Sequence, residues 1–116
     1  MDAAISLTVD VTAEGQPVRS GTLTCTASEA SGTGHLADPA AAQAACALVR
    51  DQATHPRLVN GPDPDRRGTL QYGGPEGARV TGQVDGQRVD TTFDRRDGCG
   101  IAEWDGMEAL VGPAGA

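Results

Sequence analysis

The sequence contains very few aromatic residues, and none of its nine basic residues is a lysine. Tyr72, Phe93 and Trp104 are the whole aromatic content of 116 residues, so a core must be built from aliphatic side chains. No apolar run is long enough to span a membrane. The net charge is −7 without a basic stripe, so we expect neither nucleic acid nor a membrane as partner.

Residues that hold metals or act as nucleophiles are equally scarce. The chain has Cys25, Cys46, Cys99, His35 and His55, without the close ligand spacing of a zinc motif. A glycine-flanked cysteine such as Cys99 is more often structural than nucleophilic. No phosphate-binding glycine motif is present. We therefore expect no metal, no cofactor and no enzymatic activity.

Apolar and polar residues alternate in several stretches, which predicts half-buried strands. The pattern covers residues 5–11, 21–26 and 79–93, with a turn at 14–17. Asp85-Gly86 is a typical two-residue hairpin turn and places Val84 opposite Gln87. Residues 107–111 are assigned to a final short strand.

One helix is predicted over residues 39–52, because Asp38 is a good N-cap and Pro39 suits the first helical position. His55-Pro56 is expected to lie beyond its end. Residues 28–34 and 95–100 are predicted to be loops or turns. These elements predict an α+β fold with an antiparallel sheet and a helix on one face, in which residues 1–116 form a single domain.

The stretch Asp63–Pro75 is rich in turn-forming residues, yet it contains the large side chains Leu70 and Tyr72. A rigid scaffold that presents such a loop is one way to build a binding protein. The alternative is a solvated linker with a small hydrophobic anchor. The pairs Arg66-Arg67 and Arg95-Arg96 could brace the loop or contact a partner if their two segments touch.

Taken in order, several stretches resemble the Streptomyces subtilisin inhibitor family, although no single motif is very specific. They are Ile5–Val9, Leu23–Cys25, Ser31–Thr33, Ala44–Cys46, Tyr72 with Pro75, Val80–Gly82, Gly86–Val89, and finally Phe93 and Cys99. The resemblance covers nearly the whole chain.

This resemblance implies a five-stranded antiparallel sheet with one main and one short helix packed on one face, and an exposed reactive loop. It implies a secreted, often dimeric inhibitor of a subtilisin-like serine protease that inserts its loop into the protease as a substrate would. The chain opens without a signal peptide, so we expect either an intracellular protein or a mature secreted domain. The polar sheet face gives a homodimer little apolar driving force.

The resemblance also assigns the cysteines. Cys25 and Cys46 match the first disulfide of the family, and Cys99 matches half of the second. The other half belongs in the reactive loop, where this chain has Gly68-Thr69. We therefore expect Cys99 to be a free thiol, or to bridge two chains, and the loop to lack its covalent tether.

The position of the scissile bond depends on the alignment. Alignment on Tyr72 gives Leu70–Gln71, and alignment on Pro75 gives Gln71–Tyr72. The first is preferred because leucine suits an apolar subtilisin-type pocket.

Further site residues are assigned on either side of that bond. The protease contacts are expected at Gly68, Thr69, Tyr72 and Gly73, and the loop supports at Arg66, Arg67 and Asp97. Asp97 stands where the family often has a loop-bracing asparagine.

Two further functions remain open for the same loop. Tyr72 after a candidate bond would suit a neutral metalloprotease that cuts before aromatic residues. A non-inhibitory interaction module is the other alternative, in which an exposed Gln71 serves as a transglutaminase substrate.

Overall fold

The computed structural model describes residues 4–61 and 68–113, which form an antiparallel sheet covered on one face by helices. The strands are β1 (Ile5–Ala13), β2 (Gln16–Cys25), β3 (Ala30–Gly32), β4 (Glu76–Val84) and β5 (Gln87–Asp94), in the order β3-β2-β1-β4-β5. The helices are α1 (Pro39–Arg50), α2 (Thr54–Asn60), α3 (Gly98–Gly106) and α4 (Glu108–Val111), with a 3-10 turn at Gly34–Leu36. The predicted α+β class and five-stranded antiparallel sheet are confirmed.

The central strand β1 determines which face of the sheet is buried. Its apolar residues Ile5, Leu7, Val9 and Val11 are buried and the polar residues between them are exposed. Because side chains alternate along a strand, all four point to the same face. Val9 pairs with Gly21 of β2 on one side and with Val80 of β4 on the other, so the buried face continues across the sheet.

Both predicted hairpins have tight turns. Asp85 and Gly86 have φ values of 52° and 81°, and Glu14 and Gly15 have values of 54° and 78°. Two consecutive residues with positive φ suit the right-handed twist of paired strands. The predicted pairing of Val84 with Gln87 is confirmed.

Helix α1 packs on the buried face and is bonded to it covalently. Its N-terminus is capped by Asp38, whose Oδ2 accepts a hydrogen bond from Ala41 N at 3.2 Å. Cys46, on the buried side of α1, forms a disulfide with Cys25 at the end of β2, as the resemblance implies. Within the described residues no helix combines the length and apolar character needed to cross a membrane.

One local prediction in the first half of the chain was wrong. The stretch predicted as loop at 28–34 contains β3, which pairs with β2 through Leu23 and Gly32. His55-Pro56 lies beyond the end of α1, as predicted, and falls in the first turn of the short helix α2. Proline fits there because the first N–H groups of a helix have no intrahelical acceptor.

The C-terminal region was predicted as turn and strand but is helical. Helix α3 begins inside the glycine-rich stretch, and α4 replaces the predicted strand at 107–111. Met107, Leu110 and Val111 are all buried, at the three- and four-residue spacing of a helix face. Trp104 is also buried and donates its Nε1–H to Gly112 O at 3.1 Å.

The sheet face away from the helices is polar. Arg79 and Asp90 form a two-point ion pair there, with Nε–Oδ1 and Nη2–Oδ2 distances of 3.1 and 3.0 Å. The hydrogen bond from Arg79 holds the pKa of Asp90 below its usual value. The homodimer that the resemblance implies would use this face, and it stays a prediction.

Removal of the disulfide should lower the stability strongly. We expect the double variant Cys25→Ala/Cys46→Ala to lose about 3 kcal/mol of unfolding free energy, because the bond closes a loop of about 20 residues in the unfolded chain. Urea unfolding monitored by Trp104 fluorescence measures this loss. Cys99→Ala is the matched control and should lose less than about 1 kcal/mol, since its half-buried thiol is unbonded. Equal losses of unfolding free energy in the double variant and in Cys99→Ala would contradict the stabilising role of the disulfide.

Candidate functional site

The loop that leads into β4 presents large side chains to solvent. Residues 68–75, here called the exposed loop, contain Leu70, Gln71 and Tyr72, all of them exposed. Leu70 is fully exposed and Tyr72 is 68% exposed. Among the described residues only Val18 is another exposed large apolar side chain. Loops on a rigid scaffold often carry binding residues, so this apex is a candidate interaction site.

The backbone turns sharply at Leu70. The Thr69 carbonyl accepts a hydrogen bond from Gln71 N at 2.8 Å and another from Gly98 N at 3.0 Å. The first bond closes a tight turn that places Leu70 at its apex. The second attaches this turn to the first residue of α3.

Gly68 and Thr69, with Gly98 and Cys99, form the amino-terminal anchor of the exposed loop. A Cβ atom built on Gly68 would lie 2.7 Å from Cys99 Sγ and 2.9 Å from Cys99 Cβ. A Cβ on Gly98 would collide with the Thr69 side chain. The two segments therefore touch through glycine backbone, and position 68 faces the free thiol of Cys99 directly.

Gly73, with Arg95 and Ile101, forms the carboxyl-terminal anchor. Gly73 N donates to the Arg95 carbonyl at 2.7 Å, and Arg95 Nε donates to the Gly73 carbonyl at 3.3 Å. A Cβ on Gly73 would lie 2.5 Å from Ile101 Cγ1. Gly73 is thus held by two hydrogen bonds and packed flat on α3.

Arg95 lies in a largely enclosed ionic environment. Its side chain is 13% exposed, and Nη1 lies 3.2 Å from Asp105 Oδ1 on α3. Its Nε lies 3.9 Å from Oε2 of Glu76, whose side chain is also 13% exposed. Glu76 is the first residue of β4, so Arg95 connects the loop to both β4 and α3.

Helix α3, on which both anchors depend, is held from two sides. At its start, Asp97 Oδ1 accepts a hydrogen bond from Gly100 N at 2.7 Å, and Gly100 lies against Asp94 at the end of β5. Further along, Arg57 of α2 donates to Glu103 Oε2 at 2.8 Å. Arg57 also donates to the Thr92 carbonyl of β5 at 2.6 Å, so it bridges three elements.

The structure separates the predicted site residues into an apex and a base. Leu70, Gln71 and Tyr72 are at the apex, whereas Gly68, Thr69 and Gly73 form the base. Their contacts with a protease and the scissile bond stay predictions. Asp97 caps α3 beside the loop, and its predicted bracing role also stays a prediction. Arg66 and Arg67 lie outside the described residues.

The sequence analysis did not identify the contribution of Ile101 or the two-way pairing of Gly73 with Arg95. The Arg95-Arg96 pair was predicted to brace the loop or contact a partner if its segment touched that of Arg66-Arg67, which lies outside the described residues. Arg95 itself contacts the loop at Gly73. No periodic pattern identifies such a contact, because it joins residues that are 22 positions apart.

Comparisons with known proteins agree with this architecture at the level of the fold. No protein-family model and no curated protein matches the chain. Among solved structures, the chain is similar to Streptomyces caespitosus sermetstatin, determined in complex with Bacillus licheniformis subtilisin. The TM-score is 0.55 at 24% identity, and the match covers 95% of this chain and 100% of the sermetstatin chain. At this identity the likeness shows a shared fold.

The contact between Gly68 and Cys99 can be tested by making it covalent. We expect Gly68→Cys to form a disulfide with Cys99 on mild oxidation. The two Cβ positions need to separate by only about 1 Å to reach normal disulfide geometry. Mass spectrometry and thiol titration measure the outcome. Gly106→Cys on α3 is the control, since a Cβ there meets nothing within 4 Å and its thiol should stay free. Persistent free thiols in Gly68→Cys would contradict the close contact between position 68 and Cys99.

Proposed function

We propose that this protein inhibits a subtilisin-like serine endopeptidase by inserting the exposed loop into the protease cleft as a substrate would. The observation that carries the proposal is a fully exposed Leu70 at a loop apex whose two sides are fixed to the scaffold. The similarity to sermetstatin, which was solved in complex with subtilisin, supports it. The role is that of an inhibitor rather than an enzyme.

The anchoring of the loop supports inhibition in preference to simple cleavage. Fixing one backbone residue costs roughly 1–2 kcal/mol of conformational entropy. Thr69 and Gly73 are hydrogen-bonded to the scaffold before any partner arrives, so much of this cost does not arise on docking. A flexible peptide of the same sequence would lose this advantage and would bind more weakly.

Leu70–Gln71 is the bond that we assign as scissile. Leu70 is the most exposed large apolar side chain of the described residues and can fill an apolar specificity pocket, which is where most binding energy concentrates. The bond also lies between the two anchors, so both new chain ends stay attached to the scaffold after a cut. Cleaved ends that stay close together favour religation over release.

A secreted protein is consistent with this role. The Cys25–Cys46 disulfide suits an oxidising compartment, where extracellular proteases also act. We therefore place the inhibitor outside the cell.

Titration against subtilisin should show tight, stoichiometric inhibition that depends on Leu70. We expect Leu70→Ala to weaken inhibition by at least about 30-fold, because loss of a binding hot spot costs about 2 kcal/mol or more. Val18→Ala, which removes the other exposed aliphatic side chain, should leave the inhibition constant within about twofold. The measurement is the inhibition constant from residual activity at equilibrium.

The same inhibition assay, run with several proteases, discriminates between the alternative functions of the loop. Rapid and complete cleavage of the wild-type chain after Leu70, with no residual inhibition, would show that the loop is only a substrate. Slow cleavage at Gln71–Tyr72 would move the scissile bond by one residue. Trypsin, chymotrypsin and a neutral metalloprotease are included, and inhibition of the metalloprotease alone would contradict the serine-protease assignment.

A further inference from the structure

The two anchors hold the exposed loop by different means. At the amino-terminal anchor, Gly68 packs against Cys99, and among the described residues Gly98 N donates a hydrogen bond to the Thr69 carbonyl. At the carboxyl-terminal anchor, Gly73 is bonded in both directions to Arg95 and is covered by Ile101. The side that follows the assigned bond is therefore held by two hydrogen bonds to one residue and by packing on a second.

The attachment of Gly73 matters once the Leu70–Gln71 bond is cut. The new amino terminus is Gln71, which is separated from Gly73 only by Tyr72. If Gly73 were free, the next residue fixed in regular structure would be Glu76 at the start of β4. The tether would then lengthen from two residues to five. The effective concentration of a tethered group falls as roughly the −3/2 power of tether length, which predicts about a fourfold drop here.

The side chain of Arg95 is suited to hold this anchor. Its Nε–H donates to the Gly73 carbonyl, and the Glu76 carboxylate lies 3.9 Å from the same nitrogen. Its Nη1 contacts Asp105. A guanidinium group presents several donors in one rigid plane, so one side chain can bond Gly73 and Asp105 together, while its charge lies near the Glu76 carboxylate. A lysine would keep the charge but not this geometry.

We infer that Arg95 is a positioning residue that retains the new amino terminus beside the cut, and so favours resynthesis of the bond, in a loop without a disulfide tether. The bond that breaks and re-forms is the Leu70–Gln71 peptide bond, with water consumed in cleavage and released in resynthesis. This inference rests on the proposed function and deepens it.

The test is the hydrolysis constant, which is the equilibrium ratio of cleaved to intact inhibitor. It is approached from both directions with a trace of subtilisin. We expect Arg95→Gln to raise it about fourfold or more, and Arg95→Lys to raise it as well. The control Arg88→Gln removes the same charge from an exposed position on β5 and should leave the hydrolysis constant unchanged. A purely structural role would shift the unfolding midpoint but not this ratio, because intact and cleaved forms would be affected alike. An unchanged ratio in both Arg95 variants would overturn the inference.

A second measurement is independent of any protease. Amide hydrogen exchange in the free protein should be severalfold faster at residue 73 in Arg95→Gln and unchanged at Gly98. If Arg95→Gln does not fold, Gly73→Ala attacks the same anchor through Ile101, with Gly106→Ala as control. Faster exchange at residue 73 in a chain that does not inhibit subtilisin would refute the proposed function and leave the anchoring role of Arg95 standing. Unchanged exchange would overturn that role.

Discussion

One-sided burial of the sheet is the constraint on which the rest of the molecule depends. The strict alternation in β1 buries Ile5, Leu7 and Val9 on a single face, so every helix must pack there. Helix α1 packs on β2 and β3, α4 on β1, and α2 and α3 on β5. Helix α3 therefore ends up between β5 and the exposed loop, where its first residues can hold the loop base.

The loop base shows how backbone contacts can organise a segment without a covalent bond. Glycines stand at the closest approaches on both sides, since a Cβ on Gly68 or Gly73 would collide with Cys99 or Ile101. These positions allow the loop to lie flat against α3 and leave Leu70 and Tyr72 as the parts that project. Of the large apolar side chains that are exposed in the described residues, Leu70 and Tyr72 project from this apex and Val18 lies elsewhere.

Local signals predicted the parts of the fold that depend on local chemistry. The two hairpins followed from alternation and from Asp85-Gly86, and α1 followed from the cap at Asp38. Predictions failed where tertiary contacts outweigh propensity. Helix α3 begins at Gly98 and contains three glycines, and it is stabilised by the Asp97 cap, by Arg57 and by burial of Trp104 rather than by intrinsic helix propensity. The misassigned strand at 107–111 had a detectable signal, because Met107, Leu110 and Val111 follow helical spacing.

The sequence alone determined the two hairpins, their buried face, the main helix and the presence of an unusual loop with Leu70 and Tyr72. These features depend on the order of apolar, polar and turn-forming residues, which can be read along the chain. The tertiary structure decided how that loop is held. Gly73 meets Arg95, and Gly68 meets Cys99, only because α3 packs beside β5 and brings its first turn under the loop. Contacts between segments so far apart depend on the packing of whole elements, and no local pattern encodes them.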